Sequence, residues 1–206
     1  DDESVPYKKN GYFYITRYET GKQYPIHTRK KGDLKSEEEI IFDVNKLAEG
    51  HDYYALTGLN VSENNILVAF AVDTISRRQY DMQFKNLETG EIYPEVIKNT
   101  TGGSAWANDN KTVFYTKKDT VTLRSDKVYK HVLGTDVSED ILIFEEKDDT
   151  FGTFAYKTKS SKYIIIGSYN TLSTEYRFLD ANKPNDSFKI LQSRERNLEY
   201  LSLIHI

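Results

Sequence analysis

The stretch Ser62-Glu63-Asn64-Asn65-Ile66-Leu67-Val68-Ala69-Phe70 decides how the chain is read. A polar tetrapeptide is followed at once by an apolar run, the pattern of a turn feeding a strand. The pairing recurs. Lys8-Lys9-Asn10-Gly11 precedes Tyr12-Phe13-Tyr14-Ile15, and Asn108-Asp109-Asn110-Lys111 precedes Thr112-Val113-Phe114-Tyr115. Lys159-Ser160-Ser161-Lys162 precedes Tyr163-Ile164-Ile165-Ile166. Taking Tyr12, Ile66, Thr112 and Tyr163 as equivalent gives spacings of 54, 46 and 51 residues. Four-stranded propeller blades repeat at about 40–50 residues, whereas leucine-rich and ankyrin repeats are shorter.

Working outward, each unit divides into four strands, A to D. The second unit predicts strands at 54–59, 66–72, 80–87 and 92–97, with Glu88-Thr89-Gly90-Glu91 as a C–D turn whose Gly supplies a positive φ. The third predicts 104–107, 112–116, 127–132 and 141–145, and the fourth 152–157, 163–168, 175–179 and 188–191. The first unit has clear B, C and D strands and no obvious A strand. The one helical candidate, 37–47, clusters its apolar residues as Ile40-Ile41-Phe42, which suits a strand equally. The expected fold is therefore all-β: a partial β-propeller of about four blades, at 1–47, 48–98, 99–148 and 149–200. Residues 201–206 read as a divergent strand or a vector-derived tail. An antiparallel sandwich also has short strands joined by turns and is the competing architecture.

Composition agrees. The 206 residues include 16 Tyr and 10 Phe, enough large side chains to build a core despite 29% charged residues. No cysteine is present, which excludes disulfides and thiolate metal sites. No apolar run approaches the roughly 18 residues of a membrane helix. The net charge of −4 argues against a nucleic-acid partner, which needs a basic face. The start at Asp1-Asp2, without Met, reads as an excised piece of a longer chain.

Catalytic motifs fail one by one, and no catalytic, cofactor-binding or metal-binding residue is expected. Gly102-Gly103-Ser104-Ala105-Trp106 has Trp106 where a nucleophile elbow needs its second Gly, and no helix follows. His27, His51, His131 and His205 lack a second ligand at metal spacing, and the two in C strands, His27 and His131, read as packed or surface residues. Glu145-Glu146-Lys147-Asp148-Asp149 lacks the alternating ligands and turn glycine of an EF-hand, and reads as a solvated loop or an ion-paired surface. Asn60, Asn99, Asn110 and Asn185 stand in short glycosylation patterns that arise by chance in such turns.

Strand direction gives one sharper expectation. In a propeller the B–C and D–A links share a face. Arg77 and Arg78 fall in the second B–C link, Arg124 in the third, and Asp148 and Asp149 in the D–A link after the third unit. All five would rim one face, where mixed charge suits docking to another domain.

Several segments resemble oligopeptidase B, of the prolyl oligopeptidase family of serine peptidases. They are Ser4-Val5-Pro6-Tyr7 with Asn10-Gly11-Tyr12, Ser76-Arg77-Arg78-Gln79-Tyr80, Asn86-Leu87-Glu88-Thr89-Gly90, Trp106-Ala107-Asn108-Asp109 and Glu145-Glu146-Lys147-Asp148-Asp149-Thr150. The resemblance implies a fragment of a seven-bladed propeller that gates short peptides toward a hydrolase domain not contained in this chain. It implies a soluble, cytoplasmic parent that cleaves after Arg or Lys. The partners it implies are that hydrolase domain and oligopeptide substrates. It carries no triad or specificity residue onto this sequence. An open half-ring would expose blade faces and strand edges, so the isolated segment is expected to self-associate. The rival reading is a stand-alone propeller-like module that binds a protein or glycan.

Overall fold

The computed structural model describes residues 2–200; the 201–206 tail lies outside the described residues. The chain divides into two compact units, one formed by residues 1–56 with 74–76, the other by 57–73 with 77–206.

The first unit carries β1 (Asp2–Glu3), β2 (Tyr7–Lys9), β3 (Tyr12–Tyr18), β4 (Ile26–Lys31) and β5 (Glu38–Asp43), all antiparallel. The A strand that the sequence left open is present in two pieces. β1 pairs with Arg17 and Tyr18, and β2 pairs with Tyr12 to Tyr14. Pro6 stands between the pieces and lacks the N–H a continuous ladder needs. Asn10 and Gly11, at φ 46° and 80°, make the two-residue hairpin joining β2 to β3. The ambiguous 37–47 segment resolves as β5 followed by a single turn, α1 (Val44–Leu47), capped by Asp43.

The second unit contains most of β6 (Ala55–Val61), then β7 (Leu67–Asp73), β8 (Tyr80–Asn86), β9 (Ile97–Trp106), β10 (Thr112–Lys118), β11 (Ser125–Val132) and β12 (Ile141–Glu145). These seven run in sequence order through one antiparallel sheet. A separate four-stranded sheet follows: β13 (Gly152–Lys157), β14 (Tyr163–Tyr169), β15 (Thr174–Asp180) and β16 (Lys189–Gln192). The expected D strand at 92–97 is reduced to a single bridge from Ile92 to Lys85. Pro94 interrupts it, and the ladder resumes only at Ile97, where β9 runs on into the next A strand.

The turns prove the repeat. Ser62, Ala107 and Thr158 each donate N–H to the residue five positions on: Leu67, Thr112 and Tyr163. Asn65, Asn110 and Ser161 sit inside these turns at φ 63°, 56° and 59°. The structural equivalents are thus Leu67, Thr112 and Tyr163, 45 and 51 residues apart, one residue later than Ile66 in the second unit.

The B strands are buried on both faces, which explains their unbroken apolar runs. Val113 and Tyr115 of β10 join a core with Ala69, Met82, Phe84 and Trp106. Phe114, between them, points the other way, into a core with Val128, Ile164, Ile166 and Leu179. Each side chain of this size stabilises the stack by about 1.5–3 kcal/mol. Neighbouring A strands touch at Gly58 and Gly102. A Cβ on Gly58 would lie 1.8 Å from the Gly102 carbonyl oxygen.

On the A–B face the turns are tied together. Asn64 N–H donates to Asn110 Oδ1 at 2.9 Å, and Asn108 Nδ2 donates to Ser161 O at 3.1 Å and Asn182 Oδ1 at 2.9 Å. Glu63 accepts from Lys157 Nζ at 2.7 Å and Ser161 Oγ at 2.9 Å, reaching past the intervening blade.

Candidate functional site

The opposite face carries the B–C and D–A loops of the second unit. Asp73, buried at the end of β7, accepts through Oδ2 from the main-chain N–H of Arg77 at 2.9 Å and of Arg78 at 2.7 Å. This fixes the backbone of both arginines and leaves their side chains exposed. Arg78 holds φ 54°, and its carbonyl accepts from Lys118 Nζ at 2.6 Å, so the second and third B–C loops touch. In the third loop, Asp119 Oδ1 accepts from the N–H of Val121 and Thr122 at 2.9 and 2.7 Å.

Arg124 ends that loop, and its guanidinium is a clamp. Nη1 donates to three carbonyls of the following D–A link: Glu146 at 3.2 Å, Asp148 at 2.9 Å and Phe151 at 3.0 Å. Nη2 lies 3.7 Å from Asp126. The same link is held from the far side by Arg194, beyond β16. Arg194 Nη2 lies 2.5 Å from Glu146 Oε2, its guanidinium stacks 3.6 Å over the Phe151 ring, and its N–H donates to Glu175 Oε2 at 3.0 Å. Burial alone would raise the Glu146 carboxyl, but hydrogen bonds from Arg194 and the Asp148 N–H outweigh it and hold the group below its usual range.

Of the five rim residues expected from the sequence, the structure joins Arg124 and Asp148 directly. It brings Arg78 to the same loop cluster through Lys118. Arg77 and Asp149 are exposed and form no ion pair among the described residues. Sequence reading missed Glu146 and Arg194. Glu146 stood in an acidic run read as a surface, yet it is 4% exposed. A usable signal existed: Arg194 follows Glu146 by 48 residues, one repeat, which puts the two on consecutive D–A links.

Ser104 lies within β9, followed by strand and turn. His131 is buried, with Nδ1 2.6 Å from Asp140 Oδ1 and its ring stacked on Phe84. Tyr115 donates to the other Asp140 oxygen at 2.8 Å, and burial together with that carboxylate pushes its phenol up. His27 lies 3.2 Å from Thr16 Oγ1, and burial lowers its pKa. Among the described residues no three His, Cys, Asp or Glu side chains gather as metal ligands, and no helix is long and apolar enough to cross a membrane.

Repeated antiparallel units, stacked through shared cores and knitted loop to loop, are the construction of a β-propeller, here with unclosed sheets. The model of the prolyl oligopeptidase N-terminal β-propeller domain matches residues 1–205, and the chain belongs to that family. It is 41% identical to dipeptidyl aminopeptidase BI of Pseudoxanthomonas mexicana, over 97% of this chain and 30% of that protein. It is 32% identical to protease 2 of Moraxella lacunata, over 95% of this chain and 29% of that one. Oligopeptidase B from Leishmania major superposes with a TM-score of 0.92 at 34% identity, covering all of this chain and 29% of that structure. The chain thus spans about 30% of the length of the curated relatives it matches.

Proposed function

We propose that this chain is the non-catalytic, access-controlling part of a serine peptidase. Its B–C/D–A rim, with Arg77, Arg78, Arg124, Asp148 and Asp149, docks on a hydrolase domain, and the propeller admits oligopeptides by size. The Arg124 clamp carries this reading. One guanidinium nitrogen holds three carbonyls of the 146–151 link, and Arg194 holds the link again from the next blade. A size filter has to be stiff, and a rim tied in this way presents its remaining charges in fixed positions, which suits orienting a second domain. Cleavage after Arg or Lys is part of the proposal and rests on the likeness to protease 2 and oligopeptidase B.

Two measurements test it. The purified chain should not turn over a chromogenic peptide ending in Arg; turnover would place the chemistry here. Removing the propeller from the parent peptidase should let larger substrates be cut. If the shortened parent, still folded, refuses them as before, the filter role is wrong. A parent reading frame without a downstream Gly-x-Ser-x-Gly followed by Asp and His would point instead to a stand-alone binding module.

The higher identity to dipeptidyl aminopeptidase BI supports a second reading of substrate preference, release of dipeptides from a free amino terminus. Comparing the parent on peptides with free and blocked amino termini separates the two.

A further inference from the structure

We propose that a cleft between β12 and the C–D loop of the last sheet binds a carboxylate carried on an apolar group. The cleft has a volume of about 410 Å³, within the range of small-ligand sites. Its lining includes Lys130, a β11 residue that is only 9% exposed. The ammonium donates to Asn185 Oδ1 at 3.0 Å, a neutral partner, and forms no ion pair among the described residues. A buried cation without a counter-charge is costly, and an incoming anion relieves that cost. Arg177 lines the same cleft. Its Nη2 is committed to Glu175 at 2.6 Å and its guanidinium stacks 4.2 Å from Phe144, while Nη1 is buried and has no hydrogen-bond partner among the described residues. Lys130 is therefore a buried cation with a neutral hydrogen-bond partner and no ion pair among the described residues.

The remaining lining selects the ligand. Phe144 and Phe188 supply an apolar wall, continued by Ile141, which is 53% exposed on β12. An apolar or aromatic group gains by covering that surface while its carboxylate reaches Lys130. Asp186, exposed in the same lining, disfavours a dianion such as phosphate and leaves a monoanionic carboxylate as the better match.

Fluorine NMR titration of the full 206-residue chain with para-fluorophenylacetate tests this. The probe should bind saturably. The neutral para-fluorophenylacetamide should bind at least about tenfold more weakly, because it forfeits the charge-assisted hydrogen bond. Lys130→Met should weaken the acid to a similar degree, and Lys130→Arg should restore it. Asn185→Asp, on the exposed loop, places a carboxylate beside the ammonium and should block the probe without threatening the fold. Equal affinity for acid and amide, undiminished binding by a folded Lys130→Met or Asn185→Asp chain, or no saturation would overturn the proposal. Displacement of the probe by inorganic phosphate would overturn the assignment to a carboxylate.

Discussion

Replacing Arg194 by Met should destabilise the second unit by about 3 kcal/mol, and the structure says where that loss arises. Glu146 and Glu175 are 4% and 6% exposed, and Arg194 reaches both. Glu175 keeps Arg177 at 2.6 Å, but Glu146 loses its only ion-pair partner among the described residues. Stranding a fully buried carboxylate costs about 3–5 kcal/mol. The Arg194 side chain is 26% exposed, so water screens part of the interaction and about 2 kcal/mol is the fitting estimate for this pair. The lost stacking on Phe151 adds about 1 kcal/mol. Glu146→Gln keeps the shape and still accepts from the Asp148 N–H, so it should cost only about 1–2 kcal/mol. The decisive quantity is the coupling. Because the neutral amide of the Glu146→Gln protein no longer needs Arg194, the double substitution should cost at least about 1 kcal/mol less than the two single losses together. Urea unfolding of the four proteins at neutral pH, with m-values compared, measures this. Losses that add to within about 0.5 kcal/mol would show that the buried pair is not coupled and would refute the reasoning.

Gly58→Ala should cost more than about 3 kcal/mol, since its Cβ would overlap the Gly102 carbonyl oxygen and φ 66° already disfavours a side chain. Gly134→Ala, at φ 89° with open space around it, should cost only about 1 kcal/mol; similar drops in melting temperature for both would discredit the close approach. Stability should also fall at both pH extremes. Glu146 and Asp109 are held below their usual range, Asp109 because hydrogen bonds from Thr112 and Lys111 outweigh its burial. Their contribution is full above the unfolded carboxylate pKa of about 4 and is lost as pH falls through the folded values. Burial raises the Tyr115 and Tyr14 phenols, so their contribution is full below about pH 10 and is lost as pH rises through the folded values. Spectrophotometric titration should show phenols that ionise only on unfolding; complete ionisation with the fold intact would contradict this.

Much of the strand pattern was legible because its signals are local. A polar turn before an apolar run marks each B strand, and the hydrogen bonds at Ser62, Ala107 and Thr158 show why the turn repeats. The exceptions are also physical. Pro6 splits the first A strand, and Pro94 cuts the second D strand to one bridge, so strand edges dissolve where an N–H is missing. Strand direction alone put Arg124 and Asp148 on one face as an expectation, and in the structure Arg124 Nη1 donates to the Asp148 carbonyl. What escaped was burial of charge. Nothing local distinguishes Glu146 from Glu145 in the acidic run, because its environment is made by Arg194 on the next link. Lys130 was equally hidden, for its cover comes from a loop 55 residues away.

The two faces of the second unit are tied by different chemistry, and the difference sorts the rim residues by role. Apart from the Glu63–Lys157 ion pair, the A–B turns are joined largely through asparagine amides and main-chain groups, as between Asn64 and Asn110 or Asn108 and Asn182. Such neutral ties add no net charge. On the rim, charged side chains do the tying, and those so used cannot also meet a partner freely. Arg124 is spent on three carbonyls, and the Asp148 carboxylate is engaged by the N–H and hydroxyl of Thr150 at 3.0 and 2.7 Å. Within the docking proposal these two are framework. Arg77 and Arg78 are the reverse case: Asp73 fixes their backbone N–H groups, and their guanidinium groups stay exposed. Fixed backbone with an unspent charge is the arrangement that orients a partner at the least entropic cost. Under the docking proposal the contact therefore falls first on Arg77 and Arg78, with Arg124 acting through the loops it holds.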